Sequence, residues 1–224
     1  MNLNKTKKLV VLILGILLIG TGYIYYPKYK DYLKWREYFS RTELGEPNIL
    51  ISQYFEHNQE KSPLTVLDLG AGNGSDTKYF VDKKHVVYSV DFHEESIRRI
   101  DNSISLKNKQ NLHLIKSRFE DLDWNSMPEF DVVIAINSIS FITRKEFDLV
   151  WKNIKNRTKK DGLVILRLFG NKIDWPNMKG MTLLSKEDIS SMTKGFEIIK
   201  FSEDFYKEKN ITQHAYNLIL KKLD

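Results

Sequence analysis

The sequence predicts an α/β protein. Its core is a doubly wound, seven-stranded, mostly parallel sheet with an antiparallel last strand, preceded by one N-terminal transmembrane helix. Three observations carry that expectation. Five short apolar runs between residues 64 and 192 are interleaved with amphipathic stretches, the pattern of strands joined by crossover helices. Two strand-like runs, 196–201 and 211–220, then follow with no helix between them, so they must pair as a hairpin and one must run antiparallel. Residues 9–26 are 18 uncharged, mostly apolar residues near the N-terminus.

The elements follow in order. Pro27 ends the apolar stretch. Residues 31–40 and 47–60 read as helices, the second with Leu50, Ile51, Tyr54 and Phe55 at core-facing spacing. The first strand is 64–69, and a helix continues through 78–82. Residues 85–90 form the second strand, closed by Asp91. The helix after it, 94–106, has Glu94 and Glu95 in its first turn, where acids complement the helix dipole. The third strand is 112–116. The fourth, 130–136, is apolar almost throughout and is expected to be covered on both faces. A helix at 145–156, a strand at 163–169 announced by Asp161-Gly162, and a short helix at 186–192 lead to the closing pair. The expected organisation is a membrane anchor with its basic flank at 1–27, a helical extension at 28–60, and a nucleotide-binding domain at 61–224.

As a helix, residues 9–26 would span about 27 Å, close to the roughly 30 Å of a bilayer's hydrocarbon core. Tyr23, Tyr25 and Tyr26 stand together at one end, as in an interfacial aromatic belt. A signal peptide also fits the basic start and apolar centre, but no A-x-A site follows. The basic flank leans toward a single-pass protein with its domain facing the cytoplasm. The charge distribution bears on partners too. Residues 1–41 hold eight basic and two acidic side chains, which accounts for the whole net charge of +6; the remaining 27 basic and 27 acidic residues cancel. A neutral domain gives no electrostatic footprint for nucleic acid. The absence of cysteine excludes disulfides, thiolate metal sites and a cysteine nucleophile. The five histidines show no metal-ligand spacing, and no metal site is expected.

The most informative stretch is Val66-Leu67-Asp68-Leu69-Gly70-Ala71-Gly72-Asn73-Gly74. A strand ends in an acid-bearing turn, three alternating glycines follow, and a polar run opens a helix. Glycine permits sharp turns and close approach of backbone to a ligand. The helix start adds unpaired N–H groups and a positive dipole end. Asp91, ending the next strand 21 residues after Gly70, suits a ribose diol. A dinucleotide site would want G-x-G-x-x-G, but here the third glycine comes one residue early.

With these pieces placed, residues 30–224 resemble the class I S-adenosylmethionine-dependent methyltransferases. The carrying motif is VLDLGAGNG, supported by SVDF at 89–92, FEDL at 119–122, FDVVIAINSISFI at 130–142 and DGLVILRLF at 161–169. Gly45-Glu46-Pro47 and a final strand around His214 look, more loosely, like the tellurite-resistance and thiopurine methyltransferase group.

The resemblance implies a Rossmann-like methyltransferase fold with S-adenosyl-L-methionine as cofactor. It also implies roles. Gly70, Gly72 and Gly74, with Asn73 between them, let the loop pass the methionine moiety, and Asp68 fixes the loop and the cofactor's amino end. Asp91 takes the ribose hydroxyls and Phe92 packs on the adenine. Phe119 and Glu120 border that ring, and Asn137 and Ser138 line the site near the transferred methyl. Read singly, each of these has a plainer role: Asp91 as a turn former, Glu120 as a solvated loop acid, Asn137-Ser138 as a simple turn. Arg167, inside an apolar strand, reads as a salt-bridge partner or as a residue facing the substrate cleft. One departure stands out: where many relatives place an aspartate for the adenine amino group, this chain has Arg118, which cannot accept a hydrogen bond.

No residue announces itself as a catalytic base, so none is assigned. The lack of D/N-P-P-Y, replaced by Asn137-Ser138-Ile139-Ser140, argues against exocyclic amines of nucleic acids as acceptors. A small-molecule or membrane-associated acceptor is expected. Two alternatives remain: a tethered S-adenosylmethionine-binding module without catalysis, and a nicotinamide-dependent reductase. The reductase would need Y-x-x-x-K late in the domain, and within residues 61–224 that pattern occurs only at Tyr79–Lys83, directly after the glycine loop.

Overall fold

A computed structural model describes residues 33–58, 62–175, 178–208 and 211–224. The chain divides into two compact units at Thr42/Glu43. In the first, residues 33–41 are helical (α1). The second holds α2 (Ile49–His57), β1 (Thr65–Leu69), α3 (Ser75–Asp82), β2 (Val86–Asp91), α4 (Glu94–Ser103), β3 (Leu112–Lys116), β4 (Phe130–Ile136), α5 (Arg144–Arg157), β5 (Thr158–Phe169), α6 (Lys186–Met192), β6 (Phe196–Glu208) and β7 (Ile211–Lys222).

The seven strands form one sheet in the order β3-β2-β1-β4-β5-β7-β6. β1 to β5 pair in parallel, while β7 runs antiparallel to both β5 and β6. This is the expected sheet, including the reversed last strand. The order changes direction between β1 and β4, and ligands of such sheets bind at the carboxyl ends of the strands around that point.

Each face of the sheet packs its own core. On one side Phe80 and Val81 of α3 and Leu50, Ile51 and Phe55 of α2 cover Val66, Val132, Ile134 and Ile165. On the other, Phe147, Val150, Trp151 and Ile154 of α5 and Ile189 of α6 cover Leu67, Val133, Val164 and Leu218. β4, sandwiched between them, buries Val132, Val133, Ile134 and Ala135 almost completely, as its apolar sequence requires. Helix starts are fixed locally. Thr143 and Glu146 form a capping box on α5, Ser185 and Asp188 another on α6, and Asn48 caps α2 through its side chain.

Most elements differ from expectation by a few residues at their ends, and three of these differences have a local cause. α4 stops at Ser103, and residues Leu106–Asn111 form a 3₁₀ turn that leaves Leu106 exposed. β5 begins at Thr158. Asp161, at φ +61°, and Gly162 lie inside the strand as a bulge, where the register with β4 shifts between Phe130 and Val132. β6 continues to Glu208, because its polar second half pairs with β7 along the sheet edge.

The single-pass membrane placement, with the domain facing the cytoplasm, is corrected here. No helix among the described residues is long and apolar enough to cross a membrane. The stretch 9–26, on which that expectation rested, lies outside those residues.

Candidate functional site

The glycine loop joins β1 to α3 at the carboxyl end of the sheet. Gly70, Gly72 and Gly74 have φ of +77°, +57° and +89°, the left-handed region that favours glycine. Two of the three also lack room for a side chain. A Cβ on Gly70 would stand 2.5 Å from Ser138 Cβ and 3.2 Å from the Phe119 ring, and one on Gly74 would stand 2.6 Å from Ile100 Cγ1. At Gly72 the nearest atom to such a Cβ is 3.8 Å away, so the loop is open there.

Both ends of the Gly72 residue are held by the neighbouring strand and helix. Its N–H donates to Asp91 Oδ2 at 3.0 Å, and its carbonyl accepts from Ser96 Oγ at 2.7 Å. The other carboxylate oxygen of Asp91 accepts from His93 N at 2.9 Å. Each carboxylate oxygen can accept a second hydrogen bond, so Asp91 holds the loop and still has acceptor capacity. The amides of Gly70 and Ala71 donate to Val90 O, continuing the β1–β2 ladder into the loop.

Beneath the loop lies a buried acid. Asp68 accepts from Thr77 Oγ1 at 2.6 Å, and Thr77 in turn bonds Ser89 Oγ at 2.9 Å. Burial, then the negative charges of Asp76 and Asp91, push the Asp68 carboxyl up to about 7. Burial also raises Asp76, against the pull of the Asn48 N–H, and raises Asp91, against the pull of the His93 and Gly72 amides. Three carboxyls whose burial disfavours their ionised forms make this a place where a cation is welcome.

The remaining predicted residues gather on either side. Phe119 and Ser138 face each other across Gly70. Phe92 lies under the Arg118 guanidinium, 4.7 Å from its ring centre, and Arg118 stands 3.9 Å from Glu120 Oε1. Asn137 is exposed at φ +50°, its N–H bonded to Arg167 O. Asn73 donates to Glu43 O and accepts from Ser75 N. Arg167 makes a salt bridge to Asp204 at 3.2 Å and donates to Asn217 at 2.7 Å, the structural role of the two weighed for it. Among the described residues, two buried side-chain polar atoms have no hydrogen-bond partner: Glu120 Oε2 and Ser138 Oγ. Ser138 borders Gly70, and Glu120 directly follows Phe119, whose ring also borders that glycine.

Sequence reasoning missed the contacts that brace the loop from residues 43–48. Gly45 N donates to Ser75 Oγ at 2.9 Å and Asn48 N to Asp76 Oδ1 at 2.6 Å. The Gly-Glu-Pro-Asn run at 45–48 signals a turn, but nothing in it names its partners about 30 residues on. The Tyr79–Lys83 pattern falls within and just past α3, with Lys83 Nζ over the Tyr79 ring.

Comparison with known proteins agrees with the geometry. Residues 66–162 match the family described as "Methyltransferase domain". A probable S-adenosyl-L-methionine-dependent methyltransferase, TehB, of Haemophilus influenzae is 25% identical over 145 residues, covering 64% of this chain and 49% of that protein. The chain thus spans about half the length of the curated relative it matches. The crystal structure of TehB from Haemophilus influenzae superposes with a TM-score of 0.65 at 18% identity, over 78% of this chain and 62% of that one. A Burkholderia thailandensis 1,6-didemethyltoxoflavin-N1-methyltransferase, bound to 1,6-didemethyltoxoflavin and S-adenosylhomocysteine, superposes with a TM-score of 0.66 at 16% identity, over 88% and 86%. In the matched residues, the fold and the glycine loop, the chain is similar to class I S-adenosylmethionine-dependent methyltransferase domains.

Proposed function

We propose that this protein transfers the methyl group of S-adenosylmethionine to a small-molecule acceptor. The observation that carries the reading is the pair of unpartnered buried oxygens, Ser138 Oγ on a residue that borders Gly70, and Glu120 Oε2 on the residue after Phe119, whose ring also borders Gly70. Buried polar atoms are nearly always bonded, and a ligand with its own donors satisfies both. The raised carboxyls fit a cationic ligand, since S-adenosylmethionine carries a sulfonium and an amino group.

In this reading Gly70, Gly72 and Gly74, with Asn73 bracing the turn, let the backbone lie against the methionine moiety. Asp68 provides negative charge beneath its amino end. Asp91 accepts from the ribose hydroxyls while holding Gly72. Phe92 and Phe119 flank the adenine, and Glu120 Oε2 accepts from its amino group, which removes the difficulty posed by Arg118. Asn137 and Ser138 border the acceptor.

The sulfonium supplies a methyl group already activated for in-line displacement, so the protein's tasks are to align the acceptor about 3–3.5 Å away and to exclude water. Phe141, Phe169 and Trp175 support the small-molecule reading. They form an aromatic group with ring centres 4.9–6.2 Å apart, just after Ser138 and at the end of β5. Calorimetry tests the reading: S-adenosylhomocysteine should bind and NADPH should not, and purified protein should release S-adenosylhomocysteine when given S-adenosylmethionine and a small-molecule panel. NADPH binding in place of S-adenosylhomocysteine would sink it.

A further inference from the structure

His214, on β7, is fully buried and lies outside the site described above. Its ring is held on every side. The Lys172 N–H donates to Nδ1 at 3.0 Å, so Nδ1 carries no proton. The proton is therefore on Nε2, which donates to Glu203 Oε1 at 3.1 Å. Glu203 is fixed in turn by Lys186 at 2.5 Å. The Phe205 ring stacks on the imidazole at 4.3 Å and 9°. Gly170 fills the space against the ring so closely that a Cβ there would lie 2.1 Å from Nδ1. The charged groups facing His214 are Glu203 from β6, Lys186 from α6 and Lys172 from the segment after β5.

That segment, residues 170–175, runs along the start of β7. Gly170 N donates to His214 O, Asp174 N to Thr212 O, and Trp175 Nε1 to Gln213 Oε1 at 2.8 Å. Trp175 then completes the aromatic group with Phe141 and Phe169. The loop bearing Ser138 is tied to the same region, because Ser140 Oγ accepts from Phe169 N and Thr182 bonds both Ser140 O and Ile142 O.

We propose that His214 is a positioning residue for the acceptor side of the site. In its neutral form, with the proton on Nε2, it clamps residues 170–175 and so sets Trp175 against Phe141 and Phe169 beside Ser138; a second proton, on Nδ1, undoes the clamp. The link to the acceptor rests on the reading that Ser138 borders it. The clamp itself follows from donor–acceptor matching. A protonated Nδ1 would set two donors against each other at 3.0 Å, and Lys172 would have to withdraw. Burial moves His214 below its ordinary value, so the clamped form is the one present at neutral pH.

The test uses full-length protein with ¹⁵N-labelled histidine. At pH 7.5 His214 should show a bare Nδ1 and a protonated Nε2. Acidification from pH 7.5 to 5 should lower amide-exchange protection of Lys172 and Asp174 at least tenfold and shift the Trp175 indole resonance, with β1 and β4 amides unchanged. In His214→Asn the side-chain oxygen still accepts from Lys172 but has no proton to gain, so that pH dependence should vanish. Glu203→Gln removes the charge that favours imidazolium and should move the wild-type midpoint to lower pH, which keeps the test sharp if His214→Asn folds poorly. A proton on Nδ1 at pH 7.5, or exchange at Lys172 that ignores pH, would overturn the proposal. S-adenosylhomocysteine affinity at pH 7.5, measured alongside, should be the same in wild type and His214→Asn. Its absence in wild type would overturn the methyl-transfer reading, and with it the link to an acceptor, and would leave the clamp result distinguishable.

Discussion

Asp91 Oδ2 and the Gly72 amide are 3.0 Å apart, so the acid at the end of β2 and the widest point of the glycine loop form one unit. Removing the acid should therefore act twice. Asp91→Ala should weaken S-adenosylhomocysteine binding by roughly 1–3 kcal/mol through lost charge-assisted bonds. It should also lower the thermal midpoint of the ligand-free protein, because Gly72 N and His93 N both lose their acceptor. Calorimetry and thermal melts read the two separately, and unchanged affinity would remove Asp91 from the ribose site.

The glycines should separate folding from binding. Gly70→Ala must hold φ +77° and meets Ser138 Cβ at 2.5 Å. We expect a loss of about 2–4 kcal/mol in unfolding free energy, from left-handed strain plus overpacking. Gly72→Ala bears only the strain, about 1–2 kcal/mol, since its Cβ points into open space. That variant should fold and yet lose cofactor affinity if, as proposed, the ligand runs through that open space. Denaturant unfolding with parallel titrations checks both.

Asp68 should make cofactor binding depend on pH. Its carboxyl is pushed up from 3.8 to about 7 in the folded protein. A folded-state value above the unfolded one gives stability that is complete below about 4 and lost as pH rises through about 7. Asp68→Asn keeps an oxygen for Thr77 and cannot ionise, so its thermal midpoint should gain on wild type between pH 5 and pH 8. A cationic ligand favours the ionised acid. Wild-type affinity for S-adenosylmethionine should therefore climb with pH up to about 7 and level off above it, and the variant should show a flat, weaker profile over the same range.

Glu120 should read the base. Its Oε2 has no donor and Asp121 is exposed, so an adenine amino group should be preferred over the 6-oxo group of S-inosylhomocysteine. The expected margin is on the order of 1–3 kcal/mol, the cost of leaving a buried charged acceptor unpaired. Glu120→Gln offers either amide atom, and the preference should shrink. Equal discrimination in variant and wild type would return Glu120 to the role of a solvated acid.

Much of this was legible in the residues. β1 to β5 and the reversal of β7 follow from apolar runs, the alternation with helices, and a hairpin with no helix inside it. The glycine loop is legible because left-handed backbone leaves glycines behind. The second half of β6 was not, since Ser202–Glu208 lies at a sheet edge where one face is wet and the apolar alternation fails. β5 reaches back to Thr158 because a bulge accommodates Asp161-Gly162, which from sequence alone reads as the signal that announces a strand at 163. The clamp on His214 and the bonds from 45–48 to α3 are tertiary. Their partners lie about 30 to 40 residues away, and no local pattern announces them. The apolar stretch at 9–26 carried a membrane expectation that the described helices do not bear out.

The contact between Gly74 and Ile100 has a practical consequence. The side-chain methylene Cγ1 of Ile100, on α4, occupies the volume that a Cβ on Gly74 would need, so the shape of the loop is set partly from a helix 26 residues downstream. Anyone wishing to retune this domain for enlarged cofactor analogues should therefore begin at position 100. Trimming isoleucine there to alanine, which removes Cγ1, would give the loop slack from behind, leaving untouched the glycines that its backbone cannot do without.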